Sequence, residues 1–175
     1  YHVSVFEANA YPGGKLTTIQ LGNYRFDAGP SLFTLPYLVD ELFELAGKNP
    51  RDYFNYQQLD MLCHYFYEDG TILHTPANRQ KLLEEVALKL EIDSAPLKEY
   101  LDHSSYVFER TRRSFLEKSL HKFNTYISLD ILKTVSSIPK LHLFDTMHAV
   151  NEKSLNHPKL VQLFDRFATY NGSNP

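Results

Sequence analysis

A short apolar run, an acid and a diglycine turn open the chain, and their order restricts the fold more than any other feature. Residues 2–6 read as a buried strand that ends on Glu7, and Gly13-Gly14-Lys15 follows in a turn. A carboxylate at the carboxyl end of a strand can accept hydrogen bonds from both ribose hydroxyls of a nucleotide. For Glu7 taken alone, the alternative is an ordinary surface acid at a strand end.

The glycine-rich phosphate loop of such a nucleotide unit should stand about 20 residues before the acid. Only residues 1–6 precede Glu7, and Tyr1 is not a methionine. We therefore expect the chain to be a piece of a nucleotide-binding enzyme that begins after its phosphate loop. Without a neighbouring strand, residues 3–6 would keep unpaired backbone groups and an exposed apolar edge. We expect such a piece to bind its cofactor weakly or not at all and to have no turnover.

Composition is that of a folded globular chain, with 43% hydrophobic and 22% charged residues. The net charge of -3 provides no general basic field for nucleic acid, which is disfavoured as a partner. Cys63 is the only cysteine, so an internal disulfide is excluded. Neither a run of about 18 apolar residues nor a signal-peptide pattern is present. We expect the protein to be located in the cytoplasm, where it could also contact a membrane surface.

Strands and turns dominate the part of the chain before Pro76. Two hairpins are predicted around Leu21-Gly22-Asn23 and Asp69-Gly70, because glycine and asparagine tolerate the positive φ of tight turns. Their strands are residues 16–20 with 24–27 and residues 64–67 with 72–75. Between the hairpins, helical spacing of apolar residues over 36–46 predicts one helix that stops at Gly47.

Long helical periods replace the strands after Pro76. Helices are predicted over residues 78–90, 96–121, 129–136, 140–151 and 158–170. Pro96 and Pro158 stand in first turns, where helices tolerate proline. The fold class is therefore α/β, with a mixed α+β character in this piece, and the helical half has no sheet of its own.

A third motif completes the N-terminal pattern, because the strand at 24–27 leads into Ala28-Gly29-Pro30-Ser31. In order, the strand ending on Glu7, the Gly13-Gly14-Lys15 turn and the Phe26 to Ser31 stretch resemble the flavin-dependent amine oxidase and phytoene desaturase superfamily. The run Asp27-Ala28-Gly29-Pro30-Ser31 is similar to its bacterial carotenoid desaturase branch. The resemblance is strong before Ser31 and looser after it.

The resemblance implies that FAD is the cofactor and assigns roles to the motif residues. Glu7 would hydrogen-bond the adenosine ribose, and the loop of Gly13, Gly14 and Lys15 would pass the diphosphate and ribityl region. Gly29, Pro30 and Ser31 would lie near the flavin. Residues 1–35 would then be part of a Rossmann-like FAD-binding domain, and residues 36–175 part of a substrate domain with hairpin strands at about 54–75. The family more often has arginine at Lys15, which would weaken a bidentate contact.

The reaction implied by the resemblance is removal of hydrogen from an apolar polyene such as phytoene, with the flavin performing the hard step. No acid, base or nucleophile constellation is evident in the helical half, and the catalytic residues stay unknown. Its aromatic residues can line a polyene tunnel, although aromatics at helical spacing are more often core. The alternatives are a carotenoid isomerase, a ketolase or an amine oxidase, or a non-enzymatic α+β binding domain whose motifs are coincidental.

Histidines and a basic cluster invite two further interpretations. The eight histidines are scattered, and even His142 and His148 lack the spacing for a shared metal, so no metal site is predicted. Residues 109–113 place Arg110, Arg112 and Arg113 on about one turn. These cations can contact anionic lipid, but a solvated helix face is the more common explanation.

Overall fold

A computed structural model describes residues 2–29, 33–119, 121–127 and 129–175. The chain divides into two compact units, residues 1–57 and residues 58–175. Helices account for 47% of the chain and strands for 12%, which confirms the mixed α and β class. The assignment of residues 1–35 to a cofactor domain and of 36–175 to a substrate domain stays a prediction.

The first unit contains the first predicted hairpin. Strand β1 (Thr18–Leu21) pairs antiparallel with strand β2 (Tyr24–Asp27), and Leu21 lies opposite Tyr24. The connection is a two-residue turn in which Gly22 has φ +61°. A positive φ at this position suits glycine, and the turn fixes the register of the hairpin.

Helix α1 (Tyr37–Leu45) follows, close to its predicted bounds. It ends as expected before Gly47, whose φ is +69° and whose backbone N–H donates to the Glu44 carbonyl at 2.9 Å. Polar and aromatic contacts hold the helix against the segment after it. Asp40 pairs with Arg51 and accepts a hydrogen bond from the Tyr56 hydroxyl at 2.7 Å.

The prediction of a buried strand at residues 2–6 is wrong for this chain. The segment forms no ladder with any described strand, and Val3, Val5 and Phe6 are 79%, 88% and 94% exposed. A parallel strand is buried only when neighbours pair with it and helices cover both faces. The described residues supply neither, and the expected exposure of this apolar segment is confirmed.

The second unit begins with the second predicted hairpin. Strand β3 (Met61–Phe66) pairs antiparallel with strand β4 (Ile72–Pro76), and Gly70 in the turn has φ +83°. The strands start later than the predicted position of about 54. A register irregularity between Met61 and Cys63 bends the start of β3.

Helices make up the rest of the second unit. They are α2 (Arg79–Leu90), α3 (Ala95–Phe115), α4 (Phe123–Tyr126), α5 (Leu129–Ser136), α6 (Met147–Leu155) and α7 (Pro158–Asp165). Short 3₁₀-helices occupy Pro50–Asp52 in the first unit, and Ile138–Lys140 and Arg166–Asn171 in the second unit. Within the described residues no strand follows Pro76, in agreement with the sequence.

Four predicted helix bounds are wrong, among them the end of α6, which lies at Leu155 instead of residue 151. Helix α3 ends at Phe115 instead of residue 121, because the Arg112 carbonyl accepts from both Leu116 and Glu117 and closes the last turn. The helix expected from residue 140 begins only at Met147, where the Thr146 hydroxyl accepts the Ala149 N–H at 3.2 Å. Helix α7 ends at Asp165 instead of residue 170 and continues as a tighter turn.

The core of the second unit forms where these helices meet the β3–β4 hairpin. Its most buried members are Leu73, Val86, Leu97, Leu155 and Leu160, each at most 2% exposed. Helix α2 packs on β4, and the Glu85 carboxylate accepts from both the backbone N–H of His74, at 3.1 Å, and its ring, at 2.7 Å. The apolar spacing that predicted the helices therefore identifies the side chains that fill the core.

Candidate cofactor site

Glu7 stands in open solvent in the first unit. Its Oε1 accepts two hydrogen bonds from Asn9, from the backbone N–H at 2.8 Å and from the side-chain amide at 3.1 Å. Both contacts orient the carboxylate through Oε1. Among the described residues, no hydrogen bond is donated to Oε2. An oriented carboxylate with an open oxygen fits the role of an acceptor for ribose hydroxyls.

The diglycine turn adopts backbone conformations that side chains disfavour. Gly13 has φ +111° and Gly14 has φ +56°. The Gly13 carbonyl accepts the Leu16 N–H at 2.9 Å, and a β-carbon on Gly13 would stand 2.8 Å from the Leu16 carbonyl oxygen. Glycine at position 13 is therefore required by both torsion and space. The turn holds the Lys15 side chain exposed beside bare backbone.

Gly29 lies against the same turn. The Ala28 N–H donates to the Thr17 carbonyl at 2.9 Å and extends the hairpin by one bond. A β-carbon on Gly29 would collide with the carbonyl oxygen of Lys15. Only glycine allows the end of β2 to approach the turn this closely. The structure thus brings Gly29 together with Gly13, Gly14 and Lys15, although their positions in the sequence are separated by a whole hairpin.

Other predicted site residues are not brought into this cluster. Among the described residues Glu7 makes its hydrogen bonds to Asn9 and none to the turn, and Pro30 and Ser31 lie outside the described residues. Bare backbone next to an ammonium group suits a diphosphate, because backbone N–H groups and a point charge both stabilise phosphate oxygens. The turn and Gly29 therefore have the chemistry that a diphosphate-containing cofactor needs, and their role in holding one stays a prediction.

Sequence reasoning missed a hydrogen-bonded chain in the second unit. The Tyr100 hydroxyl donates to the side-chain Oδ1 of Asn151 at 2.7 Å, and the side-chain Nδ2 of Asn151 donates to Asp165 Oδ1 at 2.8 Å. His148 Nδ1 lies 2.7 Å from Asp165 Oδ2. The only signal was the spacing of His148 and Asn151, which places both on one face of a helix.

Charge and burial shift the pKa values of two residues in this chain of contacts, His148 and Tyr100. The hydrogen bond to Asp165, and then its negative charge, raise the pKa of His148. Burial, and then the charge of Asp165, raise the pKa of Tyr100. Asn151 is 1% exposed, whereas His148 lines an open groove of about 470 Å³ with Glu152. The arrangement orients an imidazole and joins α3, α6 and α7.

A second polar anchor joins the β3–β4 turn to α7. The Tyr67 hydroxyl donates to the Lys159 carbonyl at 2.8 Å. The Lys159 ammonium contacts Asp69 and donates to the Thr71 hydroxyl at 2.6 Å. Burial raises the pKa of Tyr67 to about 12, and the hydrogen bond from Lys159 lowers the pKa of Asp69 to about 2. At neutral pH Tyr67 is therefore neutral and Asp69 is ionised.

Nowhere in the described part of the chain do three or more histidine, cysteine, aspartate or glutamate side chains converge as a metal would need. Among the described helices, none combines the length and apolar character that a bilayer crossing requires.

Comparison with known proteins gives matches along the whole chain. Residues 1–171 match the family described as flavin containing amine oxidoreductase. A 1-hydroxycarotenoid 3,4-desaturase of Flavobacterium sp. is 50% identical over 175 residues, which cover 100% of this chain and 36% of that protein. A 4,4'-diapolycopene oxygenase of Methylomonas sp. is 29% identical over 178 residues, and a carotenoid 3,4-desaturase of Haloarcula japonica is 27% identical over 173.

The chain spans about a third of the length of these relatives, 35% of the oxygenase and 34% of the Haloarcula desaturase. The family implies a flavin cofactor and a Rossmann-like domain to hold it. The glycine turn and Gly29 lie within the matched residues, so a coincidental origin of these motifs is not supported. The chain belongs to the flavin-containing amine oxidoreductase family.

Proposed function

We propose that this chain is part of an FAD-dependent oxidoreductase that desaturates a carotenoid. The observation that carries the proposal is the 50% identity, along the entire chain, to a protein named as a 1-hydroxycarotenoid 3,4-desaturase. Relatives from two other organisms are also named for carotenoid substrates. The cluster of Gly13, Gly14, Lys15 and Gly29 supports the cofactor half of the proposal, because it places the exposed backbone of the diglycine next to the exposed Lys15.

FAD, as opposed to another flavin, is proposed from Glu7 and the diglycine turn. An acidic hydrogen-bond acceptor serves an adenosine ribose, which FMN lacks, and the turn supplies backbone for a diphosphate. A bound flavin supplies a two-electron acceptor. The residues of this chain would bind and orient the cofactor. Glu7 would accept hydrogen bonds from the ribose, and the turn would contact the diphosphate. Gly29, Pro30 and Ser31 would lie near the flavin ring.

The proposed reaction breaks one C–H bond on each of two adjacent carbons and forms one C=C bond. One hydrogen leaves with its electron pair to the flavin and the other leaves as a proton. An aromatic series in the second unit is compatible with a polyene substrate, since Tyr100, Phe164 and Phe167 follow one another with ring centres 4.7 Å and 6.0 Å apart. Tyr100 and Phe164 pack against the core, so no role in substrate binding is assigned to them.

An oxygenase is the second candidate, because a relative named as a 4,4'-diapolycopene oxygenase matches 100% of this chain. The two reactions differ in product mass. Desaturation removes two hydrogens from the carotenoid, whereas oxygenation adds oxygen from O₂.

The test uses the full-length protein that carries this chain. Acid-released flavin is identified by chromatography against FAD and FMN standards, and the protein is incubated with 1-hydroxycarotenoid, 4,4'-diapolycopene and a panel of amines. We expect FAD and a product two hydrogens lighter. Purified protein that neither carries nor takes up flavin would contradict the proposal. A product with added oxygen would favour the oxygenase, and turnover of amines alone would exclude both carotenoid reactions.

A further inference from the structure

The groove of about 470 Å³ in the second unit has a mixed lining from α6 and α7. His148 and Glu152 line it from α6, and Gln162 and Asp165 line it from α7. Val161 adds an apolar surface beside these polar side chains. A pure hydrocarbon that entered the groove would displace water from the polar groups without replacing the lost hydrogen bonds. The lining therefore favours a ligand that has a polar end on an apolar body.

The carboxylate of Asp165 fixes the orientation of the His148 ring. Oδ2 lies 2.7 Å from Nδ1 of the ring, and Oδ1 accepts from the side-chain Nδ2 of Asn151 at 2.8 Å. Because an ionised carboxylate can only accept, Nδ1 of His148 carries the proton. Among the described residues no hydrogen bond reaches the other ring nitrogen, Nε2, and the side chain is 52% exposed. An oriented ring with an open nitrogen thus borders the groove.

The open nitrogen of His148 selects among polar groups. Nε2 accepts a hydrogen bond when the ring is neutral and donates one when the ring is charged. A hydroxyl group both donates and accepts, so it can pair with either form of the ring. An ammonium group could pair only with the neutral ring. An anion could pair only with the charged ring, and it would face the carboxylates of Glu152 and Asp165 in the same groove.

His157, the second imidazole of the groove, adds no positive charge at neutral pH. Burial, and then the charge of Lys159, lowers the pKa of His157, so its ring is neutral there. Its Nδ1 is buried and has no hydrogen-bond partner among the described residues. Two acids and one imidazole that can be charged give no excess of cations for a phosphate or carboxylate. The charges of the groove therefore favour a neutral hydroxyl group.

We propose that this groove binds the hydroxyl end group of a hydroxylated carotenoid, with Nε2 of His148 as the hydrogen-bond partner and Val161 against the adjoining hydrocarbon. The inference rests on the proposed function and adds a substrate class to it. His148 determines specificity, since it contacts the hydroxyl and takes no part in breaking the C–H bonds. Asp165 is a positioning residue, because it acts through the ring of His148.

The test compares two ligands that differ only in the hydroxyl. Full-length protein is titrated with a carotenoid that has a hydroxyl at carbon 1 and with the same carotenoid without it. The flavin is kept reduced under argon so that no turnover occurs, and quenching of protein fluorescence measures binding. The parent should bind the hydroxylated ligand about three- to tenfold more tightly. His148→Leu should remove this preference, and His148→Gln should restore part of it, because the glutamine amide can reach the position of Nε2.

His74→Leu is the matched control. Nδ1 of His74 lies 2.7 Å from Glu85, the same distance that separates His148 from Asp165, but His74 lies on β4 and does not line the groove. Its loss should leave the preference for the hydroxylated ligand unchanged. In turnover assays His148→Leu should raise KM for the hydroxylated carotenoid by the same factor as its binding constant, whereas loss of a proton acceptor would lower kcat.

The outcomes separate this inference from the proposed function. Equal binding of the two carotenoids by the parent, or an equal preference in the parent and in His148→Leu, would overturn the inference and leave the proposed desaturation intact. A fall in kcat for both carotenoids in His148→Leu would also overturn it, since the residue would then serve the reaction. The preference should persist on both sides of the His148 titration, and a preference confined to one side would assign the contact to another group. A parent that binds neither carotenoid would contradict the proposed function as well.

Discussion

The two units of the chain are held by different interactions. Every described core side chain lies in residues 58–175, where Leu73, Val86 and Leu97 are at most 1% exposed. Among the described residues of the first unit none is buried. That unit is defined by glycine turns, the β1–β2 hairpin and the contacts of Asp40 with Arg51 and Tyr56. Local geometry shapes the proposed cofactor wall, and apolar packing shapes the helical part.

This difference has a thermodynamic consequence. Apolar burial provides most of the free energy of folding, whereas turns and exposed ion pairs contribute little. Exposed apolar residues of the first unit, such as Val5 and Phe6, contribute nothing to stability in the state described. We therefore expect mutations of equal chemistry to have unequal effects in the two units.

The largest expected effect concerns the cofactor. The 175-residue chain expressed alone should retain no FAD and catalyse no desaturation. The full-length protein should retain FAD and catalyse desaturation. Glu7 and the glycine turn lie in the unit without a buried core, so their geometry has little to hold it against thermal motion. Flavin absorbance after gel filtration provides the measurement, and flavin that co-elutes with the isolated chain would break the comparison.

A matched pair of leucines tests the packing difference directly. Leu97→Ala on α3 should lower the free energy of unfolding by about 2–5 kcal/mol, because the side chain is 1% exposed and leaves a cavity. Leu42→Ala on α1, where the side chain is 67% exposed, should change it by less than about 0.5 kcal/mol. Urea unfolding of the chain measures both, and equal losses would contradict the contrast.

Asn151 provides the polar counterpart of that pair. Asn151→Ala leaves the Tyr100 hydroxyl and Asp165 Oδ1 without their shared partner and should cost about 1–3 kcal/mol. Asn9→Ala removes the exposed side-chain hydrogen bond to Glu7, leaves the backbone one, and should have an effect within about 0.5 kcal/mol. Urea midpoints at neutral pH give the comparison. A cost at Asn9 that equals the cost at Asn151 would show that the first unit is also held by its polar contacts.

The smallest expected effect is a pH dependence from His148. Its pKa is raised above the value of 6.5 in the folded state by Asp165, so the folded state binds the proton more tightly. The stabilisation is fully present below about pH 6.5 and is lost as the pH rises through the folded pKa. The difference in unfolding free energy between the parent and His148→Gln should shrink across that range. A difference that stays constant across that range would contradict the role of Asp165.

Sequence reasoning succeeded where structure depends on neighbours in the chain. Both hairpins were predicted, because Gly22 and Gly70 mark turns whose φ is positive. Helices α1, α2 and α5 were placed to within a residue or so from apolar spacing, and Gly47 marked the end of α1.

Sequence reasoning failed where the structure depends on residues that are distant in the chain. The exposed state of residues 2–6 follows from missing strand partners, which the apolar run itself does not reveal. Gly29 was predicted near the ring system, but its close approach to the Lys15 carbonyl could not be read from separate motifs. The chain of contacts from Tyr100 to His148 joins three helices, and the local pattern indicates only that His148 and Asn151 share a helix face.

The central claim is that Gly29 and the diglycine turn form a wall of an FAD site. The most direct measurement is FAD content per purified full-length protein for the parent, Gly29→Ala and Gly22→Ala. Gly22→Ala controls for strain in the hairpin, since the φ of +61° disfavours alanine there while its β-carbon meets no atom and lies far from the Lys15 carbonyl. The account predicts bound FAD in the parent and in Gly22→Ala, and a large loss in Gly29→Ala. Full FAD content in Gly29→Ala, or none in the parent, would contradict it.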